Sequence, residues 1–183
     1  AADLLLGALE RDGVNVRLDT SVVRVETADG SKRLNLEDST GTDRITVDVI
    51  LVAVGRAARG GAGLDAAGVA RNPDGTIRVD GHLRTSLPSV YACGDVAGPY
   101  QFTHMASHQA WYAAVNALFG SLRRFMVDYS VIPFATFTDP EVAHVGLTEL
   151  EACEKLGDDA RVTFRGLDRV DRAVADNAQD GFL

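Results

Sequence analysis

The segment Thr85-Ser86-Leu87-Pro88-Ser89-Val90-Tyr91-Ala92-Cys93-Gly94-Asp95 narrows the possible folds more than any other part of the chain. Leu87-Pro88 forces the backbone to extend, because a proline drives the residue before it out of the helical region. Residues 89–92 then read as a short buried strand, and Gly94 lets the chain turn so that Asp95 faces out of the strand's carboxyl end. That edge of an α/β sheet is where ligands are usually met, and a carboxylate there can accept two hydroxyl hydrogen bonds. Taken alone, a Gly-Asp step reads more readily as a cap on the following helix.

A second constraint lies upstream. Val49-Ile50-Leu51-Val52-Ala53-Val54 is a continuous apolar run that suits a parallel strand covered on both faces, and it stops at Gly55-Arg56. A glycine at such a strand end either admits the close approach of a cofactor or simply makes a turn. Before it, residues 1–12 read as the second half of a helix with Leu4, Leu5, Ala8 and Leu9 on one face. Residues 14–18 alternate as a half-buried strand. Val23 and Val25, Leu34 and Leu36, and Ile45 and Val47 predict a meander with turns at 28–31 and 38–41. Residues 60–80 read as a connector holding a short helix at 64–67, a stop at Gly68, a turn at Asn72-Pro73-Asp74-Gly75 and an alternating strand at 76–79.

Beyond Asp95, Gln101-Phe102-Thr103-His104-Met105-Ala106 opens a helix predicted to run to about Phe119, with Gly120 as its stop. Its expected apolar face is Phe102, Met105, Ala106, Ala110, Ala113, Ala114, Ala117 and Leu118. The first turn of such a helix leaves backbone N–H groups without intrahelical partners at the positive end of the macrodipole, which suits negative charge. His104 and His108 stand one turn apart, but no third ligand accompanies them and Met105-Ala106-Ser107 lacks the Glu of a zinc protease helix, so no metal site is expected. A Cys93–His104 nucleophile pair is set aside because a buried Cys ordinarily behaves as a small hydrophobe. No catalytic residue is assigned. Residues 131–137 and 142–147 read as further strands, Thr148 and Glu151 as a capping box for a helix ending at Gly157, and residues 165–176 as a strand and loop.

Twenty-six acidic against eighteen basic residues give a net charge of -8, and the longest basic cluster is Arg123-Arg124, so nucleic acid is not an expected partner. No apolar stretch approaches the roughly 20 residues that span a bilayer. The N-terminus lacks the charged-then-apolar order of a signal peptide, and a cytoplasmic location is expected. The two cysteines, Cys93 and Cys153, form neither a CxxC nor a CxxxxC pair. The chain opens inside a helix and closes on Asp180-Gly181-Phe182-Leu183, which reads as a turn leading into a strand that does not arrive, so a fragment of a longer protein is expected.

The 85–95 segment resembles the second flavin-binding motif of the pyridine nucleotide-disulfide oxidoreductases, the family of dihydrolipoamide dehydrogenase, glutathione reductase and mercuric reductase. Val54-Gly55-Arg56 resembles the exit of that family's nicotinamide-nucleotide domain, although Ala57-Ala58-Arg59-Gly60-Gly61 stands where a Pro and often an Asn usually follow the Arg. Phe137-Thr138-Asp139-Pro140-Glu141 and Val145-Gly146-Leu147-Thr148-Glu149 resemble the start of its interface domain, and Val170-Asp171-Arg172-Ala173 is similar to mercuric reductase-like members. The resemblance covers nearly the whole chain. It implies a mixed α/β and α+β fold: part of a FAD/NAD(P)-binding Rossmann-like domain pair, then the start of an α+β dimerisation domain. The implied divisions are 1–58 for the end of the NAD(P)-binding domain, 59–126 for the connector and second FAD segment, and 127–183 for the dimerisation domain.

The implied cofactors are FAD and NAD(P). Gly94 and Asp95 would meet the ribityl chain of FAD; Gln101, Phe102, Thr103 and His104 would lie beneath the flavin ring, acting mainly through backbone atoms; Gly55 would lie against NAD(P). The implied activity is electron transfer between nicotinamide, flavin and a disulfide, dithiol or metal-ion substrate, in a homodimer. The alternatives are an NADH oxidase-like flavoprotein without a redox cysteine pair, and a non-catalytic interaction module. These 183 residues contain no Gly-x-Gly-x-x-Gly, no CxxxxC and no His-Pro.

Overall fold

The computed structural model describes residues 1–28, 30–61 and 63–183, so Asp29 of the first predicted meander turn lies outside the described residues. The described residues form two compact units. The first comprises Ala1–Val54, Phe134–His144 and Thr148–Leu183; the second comprises Gly55–Pro133 and Val145–Leu147.

In the first unit, helix α1 (Ala2–Arg11) buries Ala8, and places Asp3 in its first turn and Arg11 in its last, each matched to the local sign of the helix dipole. The meander forms as expected, an antiparallel sheet of β1 (Ser21–Ala28), β2 (Ser31–Asp38) and β3 (Gly41–Val47) in that order. Leu34 sits between Val25 and Ile45, and Leu34 and Leu36 are the buried residues of the central strand. The register slips between Val22 and Arg24, which sets Val22 opposite Leu36 and leaves Val23 without a partner across the ladder. At the second hairpin Asp38 accepts hydrogen bonds from the backbone N–H of Thr40 (2.7 Å) and of Gly41 (3.1 Å).

Two predicted strands of this unit do not form. Residues 14–18 and 49–54 carry no strand pairing, and Leu18, Leu51 and Val54 are exposed. A strand exists only through its ladder, and the described residues offer neither run a neighbour. Further along, β4 (Pro133–Thr136) pairs with β5 (Val142–Val145), shorter than predicted. Helix α3 (Glu149–Leu156) starts on the expected capping box: Thr148 Oγ1 accepts from the Glu151 N–H, and Glu151 accepts from the Thr148 N–H at 2.8 Å. The predicted strand and loop at 165–176 is instead a 3-10 turn (Leu167–Arg169) followed by helix α4 (Asp171–Ala175). Asp171 in the first turn and an Arg172–Asp176 pair at 2.6 Å favour that helix. The closing turn does lead into pairing, since Arg165 and Leu183 exchange two backbone hydrogen bonds at 2.9 and 2.8 Å.

The second unit is built around helix α2 (Thr103–Phe119). One core cluster is Val69, Ile77, Ala92 and Ala97; another is Leu83, Ala113 and Val127. The strands expected at 76–79 and 89–92 shrink to isolated bridges, Arg71 with Ile77 and Arg84 with Tyr91. The helix expected at 64–67 is a single turn closed by Ala67 N–H on Gly63 O at 2.9 Å. The buried stripe of α2 also differs from expectation. It runs Met105, Gln109, Ala113 and Asn116, while Ala110, Ala114, Ala117 and Leu118 are exposed. Two amides therefore occupy core positions, because loops rather than another apolar element face that side of the helix. Among the described residues, no helix is long and apolar enough to cross a membrane.

Candidate cofactor site

Gly94 turns the chain with φ at +77°, a left-handed conformation that L side chains rarely adopt. Cys93 before it is extended, and Gly94-Asp95-Val96 forms one 3-10 turn. Ala97 N–H and Gly98 N–H both donate to Gly94 O, at 2.9 and 3.2 Å, so the turn is closed on itself. A Cβ at Gly94 would lie 3.2 Å from the Ala106 Cβ, which shows how closely the turn seats on α2. Asp95, the residue this turn presents, keeps 48% of its side chain exposed.

Arg56 reaches the same place. Its Nη1 donates to Gln101 O at 2.9 Å and lies 3.9 Å from Asp95 Oδ2. The residue following Gly55 is thus joined to both predicted flavin-side segments. Both charges are well exposed, so the pair serves orientation more than stability. Gly55 itself has φ at +118°, and a Cβ built on it would meet no heavy atom within 4 Å.

Helix α2 begins at Thr103, after Phe102 as an extended N-cap residue whose side chain makes no cap, and its first backbone bond is Ala106 N–H to Phe102 O at 3.0 Å. The N–H groups of the first turn precede that bond and lie at the positive end of the dipole. Phe102 and His104 stack with ring centroids 5.3 Å apart, and His104 Nε2 is 3.0 Å from Pro133 O. His108 Nε2 is 2.9 Å from Asp128 O, so the two histidines are held by separate carbonyls. Among the described residues, no group of three or more His, Cys, Asp or Glu is placed to hold a metal ion. Cys93 is half-buried and Cys153 exposed.

Three side chains that the sequence reading assigned no role here support the site. Gln109, fully buried, spans the base of the turn, and Asn116 holds the loop beyond α2 through Phe125 N–H to Oδ1 (2.8 Å), and Nδ2 to Phe125 O (2.8 Å) and His82 O (3.0 Å). Tyr129 receives a hydrogen bond from Gln109 and packs on Tyr100 at 5.8 Å; burial raises its phenol above the ordinary value, partly offset by that hydrogen bond. The signal for the amides was their spacing: Met105, Gln109, Ala113 and Asn116 recur at four, four and three, one face of a helix.

Residues 1–110 match the family profile described as "Pyridine nucleotide-disulphide oxidoreductase", and residues 132–183 match that family's dimerisation domain. A dihydrolipoyl dehydrogenase of Chlamydia pneumoniae is 36% identical over 173 residues, 94% of this chain and 36% of that protein. A mercuric reductase of Acidithiobacillus ferrooxidans is 36% identical over 183 residues, 99% of this chain and 32% of that protein. Among solved structures, the HOCl-induced flavoprotein disulfide reductase RclA from Escherichia coli superposes with a TM-score of 0.81 at 28% identity, over 100% of this chain and 41% of that one. The chain therefore spans about a third to two fifths of the length of these proteins. With the first profile covering more than half of its residues and the second following in the same order, the chain belongs to the pyridine nucleotide-disulphide oxidoreductase family.

Proposed function

We propose that the chain is part of an FAD-dependent NAD(P)H oxidoreductase that moves electrons between nicotinamide, flavin and a disulfide, dithiol or metal-ion substrate. The family match and the kinds of enzyme it resembles, dihydrolipoyl dehydrogenase and mercuric reductase, support this reading. The observation that carries it is the Gly94-Asp95 turn, which presents a half-exposed carboxylate beside the segment that opens α2.

The donor set fits FAD. Asp95 offers acceptors to the ribityl hydroxyls, and charge-assisted hydrogen bonds of that kind are the strong ones. Gln101, Phe102, Thr103 and His104 supply the backbone of the α2 entrance, whose positive end favours an electron-rich ring edge. Arg56 orients both segments, and Gly55 is the proposed point of approach for NAD(P). When bound, the flavin supplies the hydride and electron transfer; the residues of this chain hold and orient it. We also propose the divisions 1–58, 59–126 and 127–183, a homodimer formed through the last of them, and a cytoplasmic location.

The test is cofactor retention. In the complete encoded protein, Asp95→Ala should weaken FAD binding roughly ten- to a hundredfold, the loss expected for a hydrogen bond to a charged acceptor. Flavin content unchanged after dialysis would refute the assignment.

A further inference from the structure

Gln109 has 0% exposure, and its amide is engaged by both ends of the loop that carries Asp95 and by Tyr129. Oε1 accepts the Gly94 N–H at 2.6 Å, while Nε2 donates to Gly98 O at 2.7 Å and to Tyr129 Oη at 2.9 Å. The amide orientation is forced by its partners, because the backbone N–H of Gly94 needs an acceptor and the carbonyl of Gly98 needs a donor. One planar group on α2 thus closes both ends of the segment 94–98. That segment is closed on itself by the two hydrogen bonds onto Gly94 O. The Gln109 clamp ties it to α2, where a Cβ at Gly94 would come within 3.2 Å of the Ala106 Cβ, and the Ile77 N–H on Val96 O at 2.7 Å ties it to the connector.

We infer that Gln109 is a positioning residue for the cofactor: it fixes Asp95 relative to the start of α2, so that the carboxylate and the helix entrance form one binding site. This rests on the flavin reading of Asp95. Gln109 lies one and a half turns into the helix and is fully buried, so it acts on the cofactor only through the turn. Leaving buried polar groups unpaired is costly, and the groups it pairs are those flanking Asp95.

The experiment measures FAD dissociation constants of the complete protein, native and substituted, between about pH 5 and 10, alongside thermal melting. Gln109→Glu keeps an acceptor for the Gly94 N–H but, once ionised, sets a carboxylate oxygen against Gly98 O. It should weaken FAD binding on the order of tenfold or more at the alkaline end of that range. Burial raises a carboxyl pKa, and protonation of the introduced group restores a donor toward Gly98 O. The ratio of substituted to native dissociation constant should therefore fall toward one on acidification. Gln109→Met, similar in volume but unable to pair either group, should show a weakening that does not depend on pH.

Native FAD affinity in Gln109→Glu with only a lowered melting temperature would overturn the inference, as would a ratio that stays flat across the pH range. Gln109→Glu decides the matter alone if Gln109→Met fails to accumulate. Asp95→Ala, measured in parallel, separates the two readings. If it releases FAD while both Gln109 variants hold it as the native protein does, only the positioning role fails. If it retains FAD, the flavin assignment fails and takes this inference with it.

Discussion

Gly94 is the residue on which the proposed site turns, since its φ of +77° and the 3.2 Å at which an added Cβ would meet the Ala106 Cβ both disfavour a side chain. Gly94→Ala should lower stability by about 1–3 kcal/mol, the range for a non-glycine residue held in a disfavoured backbone region. A shifted urea midpoint at unchanged slope would show it, and an unshifted midpoint would mean the turn relaxes freely. That glycine, and the aspartate after it, were legible in the sequence because a turn of this kind has a local chemical requirement. Gln109 was not legible in the same way. A buried amide has value only through the carbonyls and N–H groups it meets, and these come from Gly94, Gly98 and Tyr129, as far as twenty positions away.

At the scale of elements, α2 anchors its unit through polar as much as apolar contacts. Asn116 pairs three backbone groups of residues 82 and 125, so Asn116→Leu, nearly equal in size, would leave them unpaired in a buried place. The expected cost is about 1–3 kcal/mol, read from chemical denaturation; a neutral result would mean that water enters and replaces the amide. The helices α2 and α3 were readable because their start and stop signals are local: the capping box at Thr148 and Glu151, and the glycines at 120 and 157. The meander was readable because its hairpins join neighbours in sequence. The runs at 14–18 and 49–54 failed as strands for the opposite reason. Their apolar pattern states a demand for burial, and the described residues provide no partner to meet it.

Across the whole molecule, several carboxylates tie down turns and caps and are held below their ordinary values by that role. Asp38 is lowered chiefly by the Thr40 hydroxyl, Asp74 by the Thr76 hydroxyl, Asp128 by the Ser130 hydroxyl, and Glu151 by the Thr148 backbone N–H. A carboxylate depressed on folding stabilises the native state above its unfolded pKa and loses that contribution as pH falls through the folded one. Melting temperature should therefore be flat above about pH 5 and drop below about pH 4, where ordinary carboxylates titrate; a constant melting temperature down to pH 3 would contradict the depressed values. The family rests on a wider pattern, two profile matches in order, and the proposed site adds to it Arg56, Asp95 and Gln101, drawn together across forty-five positions. The most direct measurement is the flavin content of the complete protein and of its Asp95→Ala variant after exhaustive dialysis. FAD should be near-stoichiometric in the first, bleached by NADH or NADPH, and markedly lost in the second. A colourless native protein, or equal flavin in both, would refute the flavin assignment.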